Sequence, residues 1–457
     1  MYYKTAMEER RIIAAALVCL IALGVVVRLW PFDMPYSWDE ASYLSLAEGI
    51  VKHGEYGWID GLRLEGQRAP LLPFLLAIPV MLGGIGLAGM FVPAVSLLSL
   101  AVLYFFLRNR GREFALFAVA ALSVSVVNLF MSQRVLAENL VCLLLLLDTF
   151  VFVNALKDKR WLVPFAALVG LTFLAHYDAI AGILPLPFYM LWRERKNLLS
   201  LFVNRWVWLS VAAFVLVLAP WMMYSASSYG SLIGAAAVHG YRVSIRLMTP
   251  AFLLNVAAVA GFMVPFVALG LRRIDDDLIK TTVMVAAGYV LLHGVLLPPI
   301  RYLTSLAGMF AILTAFGVTG WKWKGAKLTF VLLAAGSLFI GTYYMAAVAN
   351  PSAADDWLIG GLEVTHHDVS SYQEYREAAG LLTGEGSVIT SMPSIAHVYT
   401  GKDVLLMPEN MSELQELADR TGSKYVYLHE SPTLPDWVRR LPLIYNGQWV
   451  KIYGVSG

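Results

Sequence analysis

Arg10-Arg11 opens an apolar run over residues 11–30 that closes on Arg28-Leu29-Trp30-Pro31, and a few residues further on stands Ser37-Trp38-Asp39-Glu40-Ala41-Ser42-Tyr43. A run of that length matches the roughly 20 apolar residues that a membrane-crossing helix needs. No small-residue cleavage site follows Leu17 to Val27, so the segment reads as a retained signal anchor. Two adjacent carboxylates just outside it are costly unless solvated, paired or used.

The rest of the chain has the same character. Of its 457 residues 59% are hydrophobic and 14% charged, against about 45–50% and about 25% in soluble domains. This is a polytopic membrane protein, mainly α-helical, with some soluble mass attached. A net charge of +2 gives no sign of nucleic acid as a partner. Cys19 and Cys142 both lie in apolar runs, so no disulfide framework is expected.

Candidate spans cover 11–30, 88–107, 114–132, 137–155, 161–176, 177–192, 205–224, 251–271, 281–297, 301–319 and 327–348, about eleven in all. Basic clusters fall in every second connection: Arg10 and Arg11; Arg108, Arg110 and Arg112; Lys157, Lys159 and Arg160; Arg193, Arg195 and Lys196; Arg272, Arg273 and Lys280; Lys322, Lys324 and Lys327. The positive-inside rule makes those connections cytoplasmic, with the N-terminus inside and the tail outside. Leu71 to Leu82 is apolar but short and carries prolines, which suits a juxtamembrane or re-entrant helix. The first external loop is then long, 31–87, and a loop of that length is usually functional.

From about Asn350 the composition becomes that of a soluble domain, so the chain divides into a membrane part, 1–349, and an extracytoplasmic tail, 350–457. Ser371-x-x-Glu374 and Ser412-x-x-Gln415 are capping-box patterns that would each open a helix. Strand-like runs are 387–390, 404–407, 425–428, 443–445 and 448–453, the last two joined by Asn446-Gly447, a hairpin signal. The tail is expected to be a small α/β domain. His366-His367-Asp368 is its one candidate ligand cluster and suits a solvated linker better than a metal site, which needs three or more convergent ligands.

The external connections collect the chemistry: Asp39, Glu40, Glu138, Arg68, Arg134, His176, Arg242 and Arg301. An ionised carboxylate near a hydroxyl is a general base, and fixed positive charge stabilises a departing phosphate. A substrate reached from the bilayer edge is lipidic. Together these describe group transfer from a lipid phosphate to an acceptor outside. Each residue also has a plainer reading. Asp39 and Glu40 suit the first turn of a helix over 41–51; on a helix they point about 100° apart and would hold different roles. Arg134 and Glu138, at i,i+4, would neutralise each other. His176 and Asp178 would satisfy each other. Arg301 would be an interfacial anchor, and Tyr302, Trp38 and Trp221 aromatic-belt residues.

The order of these motifs resembles that of the C-type integral-membrane glycosyltransferases, nearest the protein O-mannosyltransferase and aminoarabinose transferase branch. The first span is followed by Asp39-Glu40-x-x-Tyr43, then Ala47 and Gly54. Arg68-Ala69-Pro70-Leu71 stands where the family has a basic residue before Pro-Pro-Leu. Arg134-Val135-Leu136-Ala137-Glu138, His176-Tyr177, Ala219-Pro220-Trp221 and Arg301-Tyr302 resemble later family features. The resemblance covers residues 11–320. It implies a many-helix (GT-C) fold with a lipid-facing cavity on the outer side and a polyprenyl-phosphate sugar as donor. Asp39 would be the catalytic base with Glu40 supporting it, and Glu138 would orient the acceptor or a metal. Arg68, Arg134, His176 and Arg301 would bind the donor phosphate. Tyr43, Tyr177, Asp178, His239, Arg242 and Tyr302 would meet the sugar or acceptor. Some C-type enzymes use a divalent metal, Mg or Mn, and others do not; Asp39 and Glu138 would be its ligands here. Displacement would invert the anomeric carbon.

The other readings are a lipid or anion transporter (a flippase) and a membrane-anchored receptor. A transporter places charges near mid-membrane and shows broken, repeat-related helices. Here the ionisable residues keep to one face, apart from Asp148. A receptor leaves the loop acids unexplained. The sugar stays unread, and the acceptor is open among protein, lipid and glycan; membrane lipids are the remaining partners, in a plasma membrane crossed many times.

Overall fold

Two helices of the computed structural model are nearly enclosed by the others: in Glu138–Ala155 and in Arg301–Gly320, 89% of the apolar stretch is buried, against 11% in the lipid-facing Arg205–Tyr229. Both begin on a charged residue, so the first residues of the two innermost helices mark one end of the bundle. The structure describes residues 2–56, 58–59, 62–63, 68–232, 250–296, 300–321, 323, 325–349, 369–429 and 435–455. His239, Arg242 and the His366-His367-Asp368 cluster lie outside them.

Among the described residues, 8 helices are long and apolar enough to cross a membrane, or 9 if Arg112–Ser123 and Val126–Ser132, bent by 65°, form one span. That is fewer than the eleven the hydropathy suggests. Leu162–Ala175 has only 14 residues. The stretch expected at 177–192 is broken into Tyr177–Ala179, Ile180–Ile183 and Pro185–Arg193. Asp277–Leu296 has Asp277, Lys280 and His293 along its length. Conversely, Leu71–Ala88 qualifies by length and composition. Its backbone leaves helical geometry at Gly83 and Gly84, where Gly84 has φ 74°. The part before that break, Leu71 to Leu82, rises about 18 Å at ~1.5 Å per residue, short of a hydrocarbon core of about 30 Å.

Close helix approach holds the bundle. A Cβ on Gly317 would sit 1.9 Å from the Phe266 carbonyl oxygen, and one on Gly270 would sit 2.2 Å from that of Leu313, so these two helices touch backbone to backbone where both residues lack side chains. The bend after Ser123 is pinned by Arg28. Its guanidinium is wholly buried and donates to the Leu122 and Ser123 carbonyls, to Asn128 Oδ1 at 2.7 Å and to Ser96 Oγ at 2.9 Å. A buried cation needs such saturation, and those two carbonyls are the open C-terminal ones of the broken helix. At the far end, basic connections are cross-linked: Arg110 with Asp276 at 2.5 Å, Lys159 with Glu194 at 2.8 Å, Arg193 with Asp277 at 3.0 Å, and Lys327 with Glu113.

Between bundle and tail lies the helix Trp38–His53, followed by a short hairpin of β1 (Trp58–Ile59) and β2 (Leu62–Arg63). The tail is a mixed sheet. Strands β3 (Val388–Thr390), β4 (Val404–Leu406), β5 (Tyr425–His429), β6 (Leu443–Asn446) and β7 (Val450–Gly454) are ordered β4-β3-β5-β7-β6. β3 is parallel to β4 and β5, while β7 is antiparallel to β5 and β6. The Asn446-Gly447 turn joins β6 to β7 as the dipeptide suggests. A third helix, Pro393–Thr400, which the sequence reading does not contain, supplies the crossover that parallel β3 and β4 require. The helix expected from Ser412 starts on Met411 and is capped by Asn410, whose side chain accepts from the Glu413 N–H at 3.0 Å.

The tail docks on Trp38–His53 through Glu48, whose carboxylate lies 2.7 Å from His397 Nε2 and 2.9 Å from Lys52 Nζ. The hydrogen bond from His397 holds the Glu48 carboxyl down at about 2, with burial opposing and Lys52 assisting. A depressed carboxyl stabilises the fold above its unfolded value, near 4.5, and loses that contribution as pH falls toward about 2. Acid unfolding followed by tail tryptophan fluorescence should therefore show stability falling between pH 4.5 and 2, with a shallower fall in Glu48→Gln; equal slopes would remove Glu48 from the docking energetics.

Candidate active site

Ser37, in extended conformation (φ −76°, ψ 167°), starts the helix that carries both acids in its first turn. The two diverge as adjacent helical residues must. Glu40 turns inward. One of its oxygens accepts from the Ser37 N–H at 2.7 Å and from the Arg134 guanidinium; the other accepts from the Val135 N–H at 2.8 Å. The Glu40 and Arg134 side chains are each only 2% exposed. The pair thus locks the first loop to the second and leaves little room for a substrate.

Asp39 turns the other way and is more open, at 17% exposure. One carboxylate oxygen pairs with Arg68 and the other with Arg301. Arg301 in turn places its Nε 3.3 Å from the Glu138 carboxylate. Asp39, Arg301 and Glu138 therefore form one chain of charge, with Arg68 at its accessible edge, 25% exposed. The i,i+4 pairing expected of Arg134 with Glu138 does not occur: each finds its partner on another segment, Arg134 on Glu40 and Glu138 on Arg301. Three carboxylates face three guanidiniums, which keeps the desolvated cluster neutral overall.

Aromatic rings wall this cluster. The Arg68 guanidinium lies 5.8 Å from the Tyr43 ring centre and the Arg301 guanidinium 5.4 Å from that of Tyr302. Arg68 is held in place by Tyr56, whose hydroxyl donates to the Arg68 carbonyl at 2.8 Å. Burial opposes the Arg68 charge, but Asp39 holds that guanidinium above its ordinary range. The His176 ring meets Tyr302 edge-on at 4.8 Å, with Nδ1 4.0 Å from Asp178. Burial, with Arg301 and Arg68 nearby, pushes the His176 imidazole down to about 4. It is neutral at physiological pH, not a third cation, and its Nδ1 has no hydrogen-bond partner among the described residues. Trp221 is not a lipid-facing belt residue: it is buried and its Nε1–H donates to the Tyr177 hydroxyl at 3.1 Å. With Tyr56, Phe74 and Tyr224 it lines a cavity of about 320 Å³ beside Pro70.

The structure thus gathers Asp39, Glu40, Arg68, Arg134, Glu138, His176, Tyr302 and Arg301 at one end of the bundle. Asp148 stands apart, wholly buried, with Thr172 donating to it at 2.7 Å. Sequence reasoning passes over Tyr56, Arg28 and His293. His293 is buried, stacks on Tyr289 at 4.1 Å and lies 6.1 Å from Tyr302. A lone histidine in an apolar run was its only signal. Among the described residues no group of three or more His, Cys, Asp or Glu side chains is placed to hold a metal. With Asp39 and Glu138 turned to guanidiniums, the pair as arranged does not fit a divalent cation.

Residues 67–224 match the family of dolichyl-phosphate-mannose-protein mannosyltransferases. A search among curated proteins found no match. Among solved structures the fold is similar to ArnT from Cupriavidus metallidurans bound to undecaprenyl phosphate (TM-score 0.67, 13% identity, 96% of this chain and 97% of that one) and to the same protein in the apo state (TM-score 0.68, 13% identity, 96% and 98%). It is also similar to the Archaeoglobus fulgidus oligosaccharyltransferase in complex with Zn and sulfate (TM-score 0.57, 15% identity, 91% and 68%). The chain thus has an ArnT-like fold, and its residues 67–224 carry the mannosyltransferase-family match.

The Glu40–Arg134 lock gives a measurable signature. Glu40→Gln leaves Arg134 buried without its counter-charge, and breaking such a pair typically costs about 3–5 kcal/mol. Glu40→Leu with Arg134→Met should recover part of that loss in thermal unfolding. Additive single losses would show that the two do not act as a pair.

Proposed function

We propose that this chain transfers a sugar from a polyprenyl-phosphate donor to an acceptor hydroxyl at the extracytoplasmic face, with Asp39 as base and inversion at the anomeric carbon. The observation that carries this reading is the Arg68–Asp39–Arg301 arrangement, one carboxylate between two guanidiniums where the two innermost helices begin. The alternation of basic connections supports the outer side. The undecaprenyl phosphate held by the ArnT of similar fold supports the carrier class.

The arrangement suggests an order of events. With both oxygens engaged by guanidiniums, Asp39 is poorly placed to take a proton. A lipid phosphate entering beside Arg68 competes for the same guanidiniums and turns them from Asp39. The acceptor hydroxyl then gives its proton to the Asp39 carboxylate as its oxygen bonds to the anomeric carbon. The bond from that carbon to the phosphate oxygen breaks, and its electron pair leaves with the phosphate. Arg68 and Arg301 meet the charge that develops there, and neutral His176 adds a hydrogen bond. Glu138 keeps Arg301 aimed after Asp39 is released. Tyr43, Tyr302, Tyr177 and Asp178 surround the space left for sugar and acceptor. No step is routed through a metal, in keeping with the poor fit of Asp39 and Glu138 as ligands.

Asp39→Asn keeps the shape and removes the base, and should lower transfer from a polyprenyl-phosphate sugar by about 10²- to 10⁴-fold. Mass analysis of the product with defined acceptors reads this; near-native turnover would remove Asp39 from the role. Arg301→Ala should weaken binding of undecaprenyl phosphate in nanodiscs by about tenfold or more, as expected for a lost hydrogen bond to a charged group. Unchanged affinity would take Arg301 out of the phosphate site.

A further inference from the structure

The helix bearing Asp39 is packed on two sides by different parts of the chain. Tyr43, Leu44 and Ala47 belong to the core of the bundle, whereas Ala41 belongs to the core of the tail, with Tyr372, Ile395 and Tyr427. Polar contacts from the tail grip both ends of this segment. Ahead of the helix, Arg376 pairs with Asp33 at 2.6 Å and the Tyr399 hydroxyl accepts from the Tyr36 N–H at 2.6 Å. Within it, Ser394 Oγ stands 3.5 Å from Ser42 Oγ. Toward its end, His397 meets Glu48 at 2.7 Å.

The His397 contact has a chemical peculiarity. Its Nδ1 faces the Lys402 carbonyl at 2.9 Å and its Nε2 faces the Glu48 carboxylate. Both partners are acceptors, so both ring nitrogens must donate, which only the doubly protonated imidazolium does. The ring is 2% exposed. A buried cation fixed on one side by a backbone carbonyl of the tail and on the other by a helix carboxylate resists displacement along the helix axis, because any shift leaves charge unpaired. Glu48 lies nine residues beyond Asp39, about 13.5 Å along the axis at ~1.5 Å per residue.

We propose that the tail is a positioning clamp for the catalytic helix, with His397, acting through Glu48, the residue that fixes where Asp39 sits. The inference rests on Asp39 being the base. Asp39 must stand between guanidiniums from two other segments, and a catalytic group displaced by about 1 Å commonly loses about 10²-fold in rate. The clamp acts on rate more than on carrier binding, because Arg68 and Arg301 are not held by the tail in the described contacts.

Two measurements on the full-length protein in nanodiscs test this, comparing the native chain with His397→Ala, Glu48→Gln and the milder His397→Gln. In the first, nitroxides on the exposed residues Glu55 and Glu416 report the distance between helix end and tail. A narrow distribution is expected in the native chain and a broadened one in the variants; unchanged widths would overturn the clamp. In the second, steady-state transfer from a polyprenyl-phosphate sugar should show kcat lowered at least tenfold with the donor KM within about twofold. A change confined to KM would overturn it. The two readings separate cleanly: if even the native chain transfers no sugar, the base assignment fails, while the distances still decide whether the tail holds the helix.

Discussion

Everything at the candidate site depends on Arg301, a cation that touches two carboxylates, Asp39 and Glu138. It starts one of the two innermost helices and Glu138 starts the other, so each brings a charge to a place that water reaches poorly. Neither would be tolerable alone. Together they tie the two helix ends to each other, and through Asp39 to the first loop. The fold can hold a partly buried carboxylate at this end of the bundle because the cost of burying it is shared among matched charges. Arg28 does the same on a smaller scale one layer out, with carbonyls in place of carboxylates as its partners.

Much of this was readable from residue order. Asp39, Glu138, Arg68 and Arg301 stand in connections that alternate with basic ones, and that shared sidedness was enough to expect them near one another. What the sequence could not supply was partnership. Arg134 and Glu138 satisfy the i,i+4 rule, yet the rule describes an isolated helix, and Arg134 lies before the helix that begins on Glu138. Freed from helical geometry, Arg134 reaches Glu40 instead. The divergence of Asp39 and Glu40 was legible, being a property of the helix itself; their different fates, one locked and one partly exposed, follow from what packs around each.

The other departures have similar causes. Trp221 reads as an interface anchor because tryptophans gather there, but a partner hydroxyl from Tyr177 and neighbouring rings make an inner position cheaper. The helix Pro393–Thr400 has a short and mixed sequence that no periodicity would single out. Its existence is dictated by the parallel pairing of β3 and β4, a fact of topology that is silent in local sequence. The expected and observed span counts part where the chain is broken around Pro185, because hydropathy sums over residues that the backbone then divides.

That overlooked crossover helix is also the one that meets Trp38–His53. A single carboxylate on a loop would sample many positions. Here the loop is made into a helix, the helix is wedged between two cores, and its acids are tied fore and aft to segments far apart in sequence. Rigidity at Asp39 is then a property of the whole assembly. Of the arginines that face Asp39, Arg301 is held by two carboxylates, whereas Arg68 is a quarter exposed and anchored through its backbone carbonyl, which leaves space around its guanidinium. Under the proposed function, a fixed carboxylate beside cations suits a phosphate-carried substrate, since the charge must follow the leaving group while the base stays where the acceptor arrives.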